Sequence, residues 1–245
     1  MRLLISTGGK GERLYPLTKD IPKPMVNILG KPVLHHLVDW AKENEINEIV
    51  MLNGHKAEKV VDYFKDGSSF QIKIIHSNEP QRLGSGGAVR YAKKYIEKRC
   101  AYISGDVICE VDLKKMEKFH ETKNAHITVL THKSSHPDDS DILKIDSGNK
   151  VTHFISKNDD HTNAGDLTNT GLCIFEPSIL NVIDAIEKEE FNIENDLYTL
   201  ILKRGMGMYA YFTNEFIADI GTFERLKKCE EYLTTKNNTI TPQVF

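Results

Sequence analysis

Apolar strand segments alternate with amphipathic helical segments through the first half of the chain, and this alternation constrains the fold more than any other sequence feature. Strands are predicted over 2–6, 48–53, 71–76 and 101–104, and helices over 32–44, 57–65 and 86–97. Because parallel strands need long crossover connections, which are usually helices, the alternation favours parallel pairing. It predicts an α/β fold with a mostly parallel central sheet and helices on both faces.

The pattern changes after Asp106, where the predicted strands follow one another through short connections typical of antiparallel additions. They cover 125–132, 142–146, 150–155 and 170–175, with polar loops predicted at 136–141 and 156–168. Helices and strands predicted over 177–187, 193–204, 208–212, 217–220 and 222–233 complete the chain. The length of 245 residues predicts a single domain over 1–235 and a frayed C-terminal tail over 236–245.

Composition argues against several classes of protein. An apolar content of 40% is sufficient for one core, and a net charge of -3 with both signs mixed argues against a nucleic-acid partner. No apolar run reaches membrane-spanning length, so we expect a cytosolic protein without a membrane partner. The cysteines lack the close spacing of zinc or redox motifs and are predicted to be buried thiols; they are Cys100, Cys109, Cys173 and Cys229.

A glycine-rich loop with two basic residues follows the first strand. Gly8, Gly9 and Gly11 open the loop, Arg13 follows it, and Lys23 lies between two prolines. Glycines let backbone N–H groups approach phosphate oxygens without interference from a Cβ, and a helical turn after the loop would point its positive end at the same anion. The arrangement favours a polyphosphate ligand, whereas three glycines alone would indicate only a surface turn.

Two common phosphate-binding motifs fit this loop poorly. The dinucleotide fingerprint requires a third glycine where Leu14 stands and an acidic residue near Leu52 and Asn53, at the end of the second strand. The Walker motif requires four residues between its glycines and then Lys-Ser or Lys-Thr, a context that neither Lys10 nor Lys23 has. Nicotinamide-dependent oxidoreduction is therefore a remote alternative.

The segments GGKGERLYPLT and IPKPM resemble the nucleotide-binding signature of sugar-1-phosphate nucleotidyltransferases, GGxGTRLxPLT followed by PKP. Glu12 takes the place of the usual Thr, as in some uridylyltransferases of this family. The resemblance continues in the family's order through LGSGGAV, SGD, NTGLCIF, NIENDL and ADIGTFERL, and so covers nearly the whole chain. It implies a Rossmann-like nucleotidyltransferase fold with a small antiparallel lid that binds the sugar.

This resemblance implies attack by a sugar 1-phosphate oxygen on the α-phosphorus of a nucleoside triphosphate, with release of pyrophosphate. Such chemistry relies on positioning and charge stabilisation. Arg13 would hold the departing phosphates, and Lys23 would place a charge near the α-phosphate. Asp106 and Asp219 each follow an apolar strand beside a glycine, match the family's metal pair, and would bind Mg²⁺ together with the phosphates. Asp112 is predicted to cap a helix instead.

The resemblance also assigns residues around the base and the sugar. Gly9, Gly87 and the loop from Glu79 to Gly84 would lie near the base and the ribose. The residues that match contacts to sugar hydroxyls are Asn169, Gly171 and Glu194. A carboxylate in the first turn of a helix also stabilises that helix, and for Glu194 this interpretation carries equal weight.

Lys157 matches the lysine that binds the phosphate of the sugar. Members of the family usually have Glu before this lysine, and here Ser156 stands in that place. The partner that anchors Lys157 is therefore left unassigned by the sequence.

The nucleobase and the sugar are predicted from short segments. PKPMVNILGKPVL is most similar to mannose- or heptose-1-phosphate guanylyltransferases, which predicts GTP and a manno-configured hexose or heptose 1-phosphate as substrates. Uridylyl, thymidylyl or cytidylyl transfer is the alternative, and GKGER favours the first of these. A non-catalytic regulatory subunit of the same fold is disfavoured by the presence of Arg13, Lys23, Asp106 and Asp219. Helix surfaces leave a homodimer as an option without identifying an interface.

Overall fold

The computed structural model describes residues 1–133, 140–162 and 165–240. Its strands are β1 (Arg2–Ser6), β2 (Asn27–Ile28), β3 (Lys31–Pro32), β4 (Glu48–Asn53), β5 (Lys73–Asn78), β6 (Cys100–Ser104), β7 (Val107–Cys109), β8 (Ile127–Lys133), β9 (Ile142–Ile145), β10 (Val151–Ile155), β11 (Leu167–Phe175), β12 (Met208–Phe212) and β13 (Ile217–Asp219). Its α-helices are α1 (Val33–Glu43), α2 (Ala57–Phe64), α3 (Gly84–Tyr91), α4 (Leu113–Thr122), α5 (Leu180–Asp184), α6 (Thr199–Lys203) and α7 (Phe223–Ile240).

The first half of the chain forms the parallel part of the main sheet, in the order β6-β1-β4-β5. In this register Leu3 lies opposite Ile49 of β4 and Ala101 of β6. Because all four strands run in the same direction, their carboxyl ends meet at one edge, and the loops that follow β1, β4, β5 and β6 leave from it. Ligands of open α/β sheets bind at this edge.

The second half adds antiparallel strands to the same sheet. β11 pairs antiparallel with β6 and β8, and the β9–β10 hairpin joins β11 through Ile142. β12 differs from this pattern because it pairs parallel to β8. The predicted α/β class, with a mostly parallel central sheet and antiparallel additions, is confirmed.

Alternate residues of the central strands supply two cores, one on each face of the sheet. Leu3 and Ile5 pack with α1 on one face, and Leu4 packs with α3 and α5 on the other. A third cluster lies beneath the glycine-rich loop, where the fully buried Leu14 meets Cys229 of α7. All four cysteines are buried free thiols, as predicted. None of the helices in the described residues combines the length and the apolar character that crossing a bilayer requires.

Several element boundaries differ from the sequence prediction because tertiary contacts decided them. α7 continues to Ile240, although a tail was expected from residue 236, and the Lys236 ammonium pairs with the Glu110 carboxylate. Residues 241–245 and most of the predicted loop 136–141 lie outside the described residues. The helix predicted over 193–204 consists of a π-helical turn over Ile193–Tyr198 followed by α6. Asp112 caps α4, accepting the Lys115 N–H at 3.1 Å, as predicted.

Candidate active site

A cleft of about 960 Å³ opens at the carboxyl edge of the parallel strands. Most of the residues predicted to bind the nucleotide line it together. They are Gly8, Gly9, Gly11, Arg13, Lys23, Glu79, Gly84 and Asp106, and Lys157 joins them from the antiparallel half. Gly87, Asn169, Gly171, Glu194 and Asp219 do not line the cleft, and their positions are described below.

The glycine-rich loop is shaped by a left-handed residue and by a buried anchor. Gly11 has φ +67°, and a Cβ at this position would lie 2.8 Å from Thr18 Cγ2 and 2.9 Å from Lys23 Cβ. Only glycine fits both the backbone conformation and this space. A 3₁₀ turn follows the loop, and its last residue, Leu14, is buried in the third cluster. The conformation of Gly11 and the burial of Leu14 therefore fix the shape of the loop beside the cleft.

Lys23 is tied to the glycine-rich loop through its backbone and to Asp106 through its side chain. Its N–H donates to the Gly9 carbonyl at 3.0 Å. Its ammonium forms an ion pair with Asp106 Oδ2, and the two side chains are only 12% and 25% exposed. Arg13 is exposed, and its guanidinium lies against Gly221 at the start of the turn into α7. Both predicted cations thus face the cleft, one paired and one open to solvent.

The two predicted metal ligands are brought together by a short strand pair outside the main sheet. β13 pairs antiparallel with β7, so that Asp219 lies opposite Val107, and the Ile220 N–H donates to the Asp106 carbonyl at 2.9 Å. Asp219 Oδ1 accepts the Gly221 N–H at 2.6 Å, and its Oδ2 accepts Arg225 Nη1 at 2.8 Å. Each of the two carboxylates therefore has a cationic partner in this structure.

Asp106 and Asp219 offer an incomplete ligand set by themselves. Among the described residues, no group of three or more His, Cys, Asp or Glu side chains could hold a metal ion. Asp106 in the cleft and Asp219 beside it nevertheless suit a hard divalent cation that completes its coordination with phosphate oxygens and water. The donor set fits a metal that arrives with the nucleotide.

Glu79 presents a carboxylate to the cleft beside two glycines. Its N–H donates to the Asn53 carbonyl at 2.9 Å, and its Oε2 accepts the Leu83 N–H at 3.3 Å. Its Oε1 lies against the backbone of Gly8 and Gly54, and any side chain at Gly54 would overlap it. Burial raises the pKa of Glu79. The carboxylate has acceptor capacity left for a ligand in the cleft.

Asn53 occupies the strand end where a dinucleotide-binding protein would carry its acidic residue. It is completely buried, accepts the Thr7 hydroxyl at 2.7 Å and donates to Asn78 Oδ1 at 2.8 Å. It therefore links the carboxyl ends of β1, β4 and β5 and does not line the cleft. This placement agrees with the poor fit of the dinucleotide fingerprint.

Gly84 and Gly87 allow α3 to pack closely on the segment that follows α5. A Cβ at Gly84 would overlap the Phe191 carbonyl, and a Cβ at Gly87 would lie 2.9 Å from both the Glu189 carbonyl oxygen and Leu83 Cβ. Gly84 also lines the cleft, whereas Gly87 is buried behind it. The role of Gly87 in this structure is one of packing.

The residues predicted to contact the sugar hydroxyls come from two separate segments. Glu194 lies in the π-helical turn, and its Oε2 accepts the Ser85 hydroxyl at 3.3 Å. Burial, together with the charge of Asp141, raises the pKa of Glu194. Gly171 lies in an irregular part of β11 with φ +79°, where a Cβ would come within 3.0 Å of Ser104 Oγ on β6. Asn169 is on the same strand, and its Oδ1 accepts the Gly171 N–H at 3.3 Å.

Sequence reasoning missed several residues that shape the site. Gly54 and His55 line the cleft directly after β4, where the rule that ligands bind at strand ends could have indicated them. Arg225 stands in the ADIGTFERL segment, six residues after the aspartate that it binds. No sequence signal marks Ser85 or Asp141 as partners of Glu194 and Lys157.

The fold and the site together define a class of protein. A glycine-rich loop, two cations and the Asp106 carboxylate line one cleft at the carboxyl edge of a parallel sheet, with Asp219 beside them, and this arrangement suits the binding of a nucleotide polyphosphate. Residues 3–236 match the family Nucleotidyl transferase, and the chain belongs to this family. The resemblance to sugar-1-phosphate nucleotidyltransferases is thereby confirmed.

Three similar proteins illustrate the range of the family. The chain is 28% identical over 235 residues to UTP--glucose-1-phosphate uridylyltransferase of Synechocystis sp., covering 90% of this chain and 60% of that protein. It is 29% identical over 260 residues to mannose-1-phosphate guanyltransferase 2 of Candida glabrata, covering 100% of this chain and 71% of that protein. The crystal structure of HddC from Yersinia pseudotuberculosis complexed with GMP-PN superposes with a TM-score of 0.79 and 28% identity, covering 95% of this chain and 99% of that chain.

Proposed function

We propose that this chain transfers GMP from GTP to a sugar 1-phosphate of manno configuration, a hexose or a heptose, and releases pyrophosphate. The observation that carries the choice of base is the Glu79 carboxylate, which lies in the cleft between Gly8 and Gly54. Enzymes of this family generally use a divalent metal, and we propose Mg²⁺ here.

Guanine is the base whose hydrogen-bonding edge best fits a carboxylate. An ionised carboxylate only accepts hydrogen bonds, and the N1–H and N2–H groups of guanine form two adjacent donors. Uracil and thymine present one N–H between two carbonyl oxygens, and those oxygens would face the negative charge of Glu79. A site built to hydrogen-bond one base discriminates strongly against bases that leave its polar groups unpaired.

The charged residues of the cleft suit the proposed transfer. An oxygen of the sugar phosphate attacks the α-phosphorus, the bond between the α-phosphorus and the bridging oxygen breaks, and pyrophosphate leaves with that oxygen. Arg13, exposed at the end of the glycine-rich loop, would hold the leaving phosphates, and Lys23 would stabilise charge on the α-phosphate. Asp106 and Asp219 would hold Mg²⁺, which supplies positive charge to the phosphate oxygens.

We call the group formed by Lys157, Glu194, Asn169 and Gly171 the sugar end of the site. It suits a substrate that carries several hydroxyl groups and one phosphate. Lys157 reaches the cleft from the loop after β10, and we assign it to the sugar phosphate. Glu194, Asn169 and Gly171 are assigned to the sugar hydroxyls and to the backbone around them. The manno configuration rests on the PKPMVNILGKPVL segment and on the mannose-1-phosphate guanyltransferase of C. glabrata. Uridylyl transfer is the alternative supported by the Synechocystis relative.

The test is pyrophosphate release from a matrix of five nucleoside triphosphates and several sugar 1-phosphates. GTP with mannose 1-phosphate or a manno-heptose 1-phosphate is expected to be the best pair. In Glu79→Gln the amide replaces one acceptor by a donor, so the preference for GTP over UTP should fall by roughly tenfold or more, since one base contact is worth about 1–3 kcal/mol.

Glu189→Gln is a matched control, because it makes the same chemical change at a carboxylate that accepts from Gln81 at 2.7 Å and does not line the cleft. It is expected to leave the ratio of GTP to UTP use unchanged. A preference of the wild type for UTP, dTTP or CTP would refute the guanylyl assignment. Absence of pyrophosphate release from every pair would favour a regulatory subunit of the same fold.

A further inference from the structure

The loop that carries Lys157 is held by a side chain from the other end of its hairpin. The Lys157 N–H donates to Asp141 Oδ1 at 2.9 Å. Asp141 directly precedes β9 and Lys157 follows β10, so this bond closes the open end of the β9–β10 hairpin. Lys157 lines the cleft and Asp141 does not. The Asp141 side chain is therefore placed to act on a ligand in the cleft through Lys157.

Asp141 also connects this loop to the strand that carries the other sugar-site residues. Its carbonyl accepts the Asn169 N–H at 3.0 Å and the Thr168 hydroxyl at 3.1 Å. One residue thus joins the Lys157 loop to β11, on which Asn169 and Gly171 lie. The contacts of Asp141 set the distance between these two parts of the sugar end.

The neighbour of Lys157 in the chain does not provide an equivalent link. The Ser156 N–H donates to Asp159 Oδ2 at 3.1 Å, and the Ser156 carbonyl bonds to His161 Nε2 at 2.9 Å. These bonds fold the loop onto itself without reaching β11. The bond to Asp141 ties the backbone of Lys157 to the residue before β9, next to the pairing of Ile155 with Ile142.

We infer that Asp141 is the positioning residue for Lys157 and thereby sets the affinity of the site for the phosphate of the sugar 1-phosphate. A lysine ammonium is a point charge on a flexible stem, so its average position depends on where its backbone is held. The inference rests on the proposed function in one respect, the assignment of Lys157 to the sugar phosphate. The inference does not depend on which nucleobase the enzyme uses.

The electrostatics of the sugar end agree with this arrangement. The charge of Asp141 contributes to the raised pKa of Glu194, and the charge of Lys157 opposes it. Glu194 therefore interacts with both of these charges. Displacement of Lys157 would change the charge that the sugar phosphate meets.

The test compares Asp141→Ala, which removes the acceptor, with Asp141→Asn, which keeps an oxygen in the same place. Asp141→Ala is expected to raise the KM for the sugar 1-phosphate about tenfold, in line with the loss of one charge-assisted hydrogen bond, with kcat and the KM for the nucleoside triphosphate unchanged. Asp141→Asn should restore most of the affinity. Unfolding midpoints are measured alongside, and Asp141→Ser replaces the Ala variant if that variant does not fold.

Asp146→Ala is the matched structural control. Asp146 Oδ1 accepts the N–H groups of Gly148 and Lys150 at 2.8 and 2.9 Å, which closes the opposite end of the same hairpin. This variant disturbs the hairpin without removing a contact of Lys157. It is expected to leave the KM for the sugar 1-phosphate at the wild-type value.

A double-mutant cycle with Lys157→Met distinguishes an effect of Asp141 through Lys157 from a general loss of structure at the site. If Asp141 acts through Lys157, the double variant should have the same KM as Lys157→Met alone, because coupled residues are not additive. The inference is overturned by additive effects, by an Asp141→Ala variant with wild-type KM, by equal losses in Asp146→Ala, or by a failure of Asn to restore affinity.

The assays use whichever substrate pair the wild type turns over fastest, so failure of the guanylyl assignment leaves this test intact. Calorimetric titration of wild type and variants with mannose 1-phosphate supplies the same ratios as Kd values. This titration measures the affinity for the sugar phosphate even where no turnover is detected. An Asp141→Ala affinity equal to that of the wild type in that titration counts against the inference.

Discussion

The two ends of the cleft are built in different ways. At the end proposed to bind the nucleotide, the glycine-rich loop, Lys23 and Asp106 are held by backbone hydrogen bonds, and the cation and the carboxylate already form an ion pair. At the end proposed to bind the sugar, Lys157 reaches the cleft from a hairpin loop and Glu194 lies outside the cleft in a π-helical turn, and single side chains, Asp141 and Ser85, hold them. Residues for the reaction shared by a family can be positioned by the sheet, whereas residues that select the substrate can lie on loops, which vary more between relatives.

This comparison predicts that variants at the nucleotide end reduce turnover and that variants at the sugar end raise KM for one substrate. The largest effect is expected for Lys23→Met. Loss of one preorganised charge at the reacting phosphate costs about 3 kcal/mol of transition-state stabilisation, roughly a hundredfold in kcat. Pyrophosphate release measures the loss, and thermal unfolding measured in parallel should show a far smaller change.

Lys10→Met is the matched control for that prediction, because Lys10 lines the same cleft with an exposed side chain. Its kcat should stay within a few-fold of the wild type. Equal losses in the two lysine variants would show that activity depends on the total charge of the loop and not on a charge that Lys23 places at the reacting phosphate.

A smaller effect, again at the nucleotide end, is expected for Asp219→Asn. The amide keeps the shape of the side chain and its bond to the Gly221 N–H, and removes the charge that balances a cation. The Mg²⁺ concentration for half-maximal activity should rise about tenfold, and excess Mg²⁺ should restore part of the rate. A metal titration identical to that of the wild type would limit Asp219 to its contacts with Gly221 and Arg225.

The smallest effect is expected at the sugar end, from the pH dependence of stability in Glu194→Gln. Because burial raises the pKa of Glu194, the folded state holds this proton to higher pH than the unfolded state does. The wild type should therefore lose stability relative to the Gln variant as pH rises from about 4 through the raised pKa, and the difference should become constant at lower pH, where the folded and unfolded states both hold the proton. Urea unfolding across this range measures it, and a pH-independent difference would contradict the assignment.

The sequence predicted the strongly periodic elements and the polar residues at the ends of strands. The four parallel strands, the loop after β1 and the buried thiols followed from apolar alternation and glycine spacing. Asp106 and Asp219 were recognisable because each follows an apolar strand beside a glycine, although β13 pairs with β7 across more than a hundred residues of chain. The length of α7 was not readable, because the pairing of Lys236 with Glu110 supports a final turn of weak helix formers.

Local period, backbone freedom and charge specify the parallel sheet, the glycine-rich loop and the types of residue available for the chemistry, so these follow from the sequence. Which side chains meet depends on the tertiary structure. Lys23 and Asp106 lie 83 residues apart, and Ser85 and Glu194 lie 109 apart. Such pairings depend on how the sheet is ordered and on which side chains become buried together. The anchoring of Lys157 by Asp141 belongs to the same group, since no spacing or periodicity in the chain encodes a contact across the open end of a hairpin.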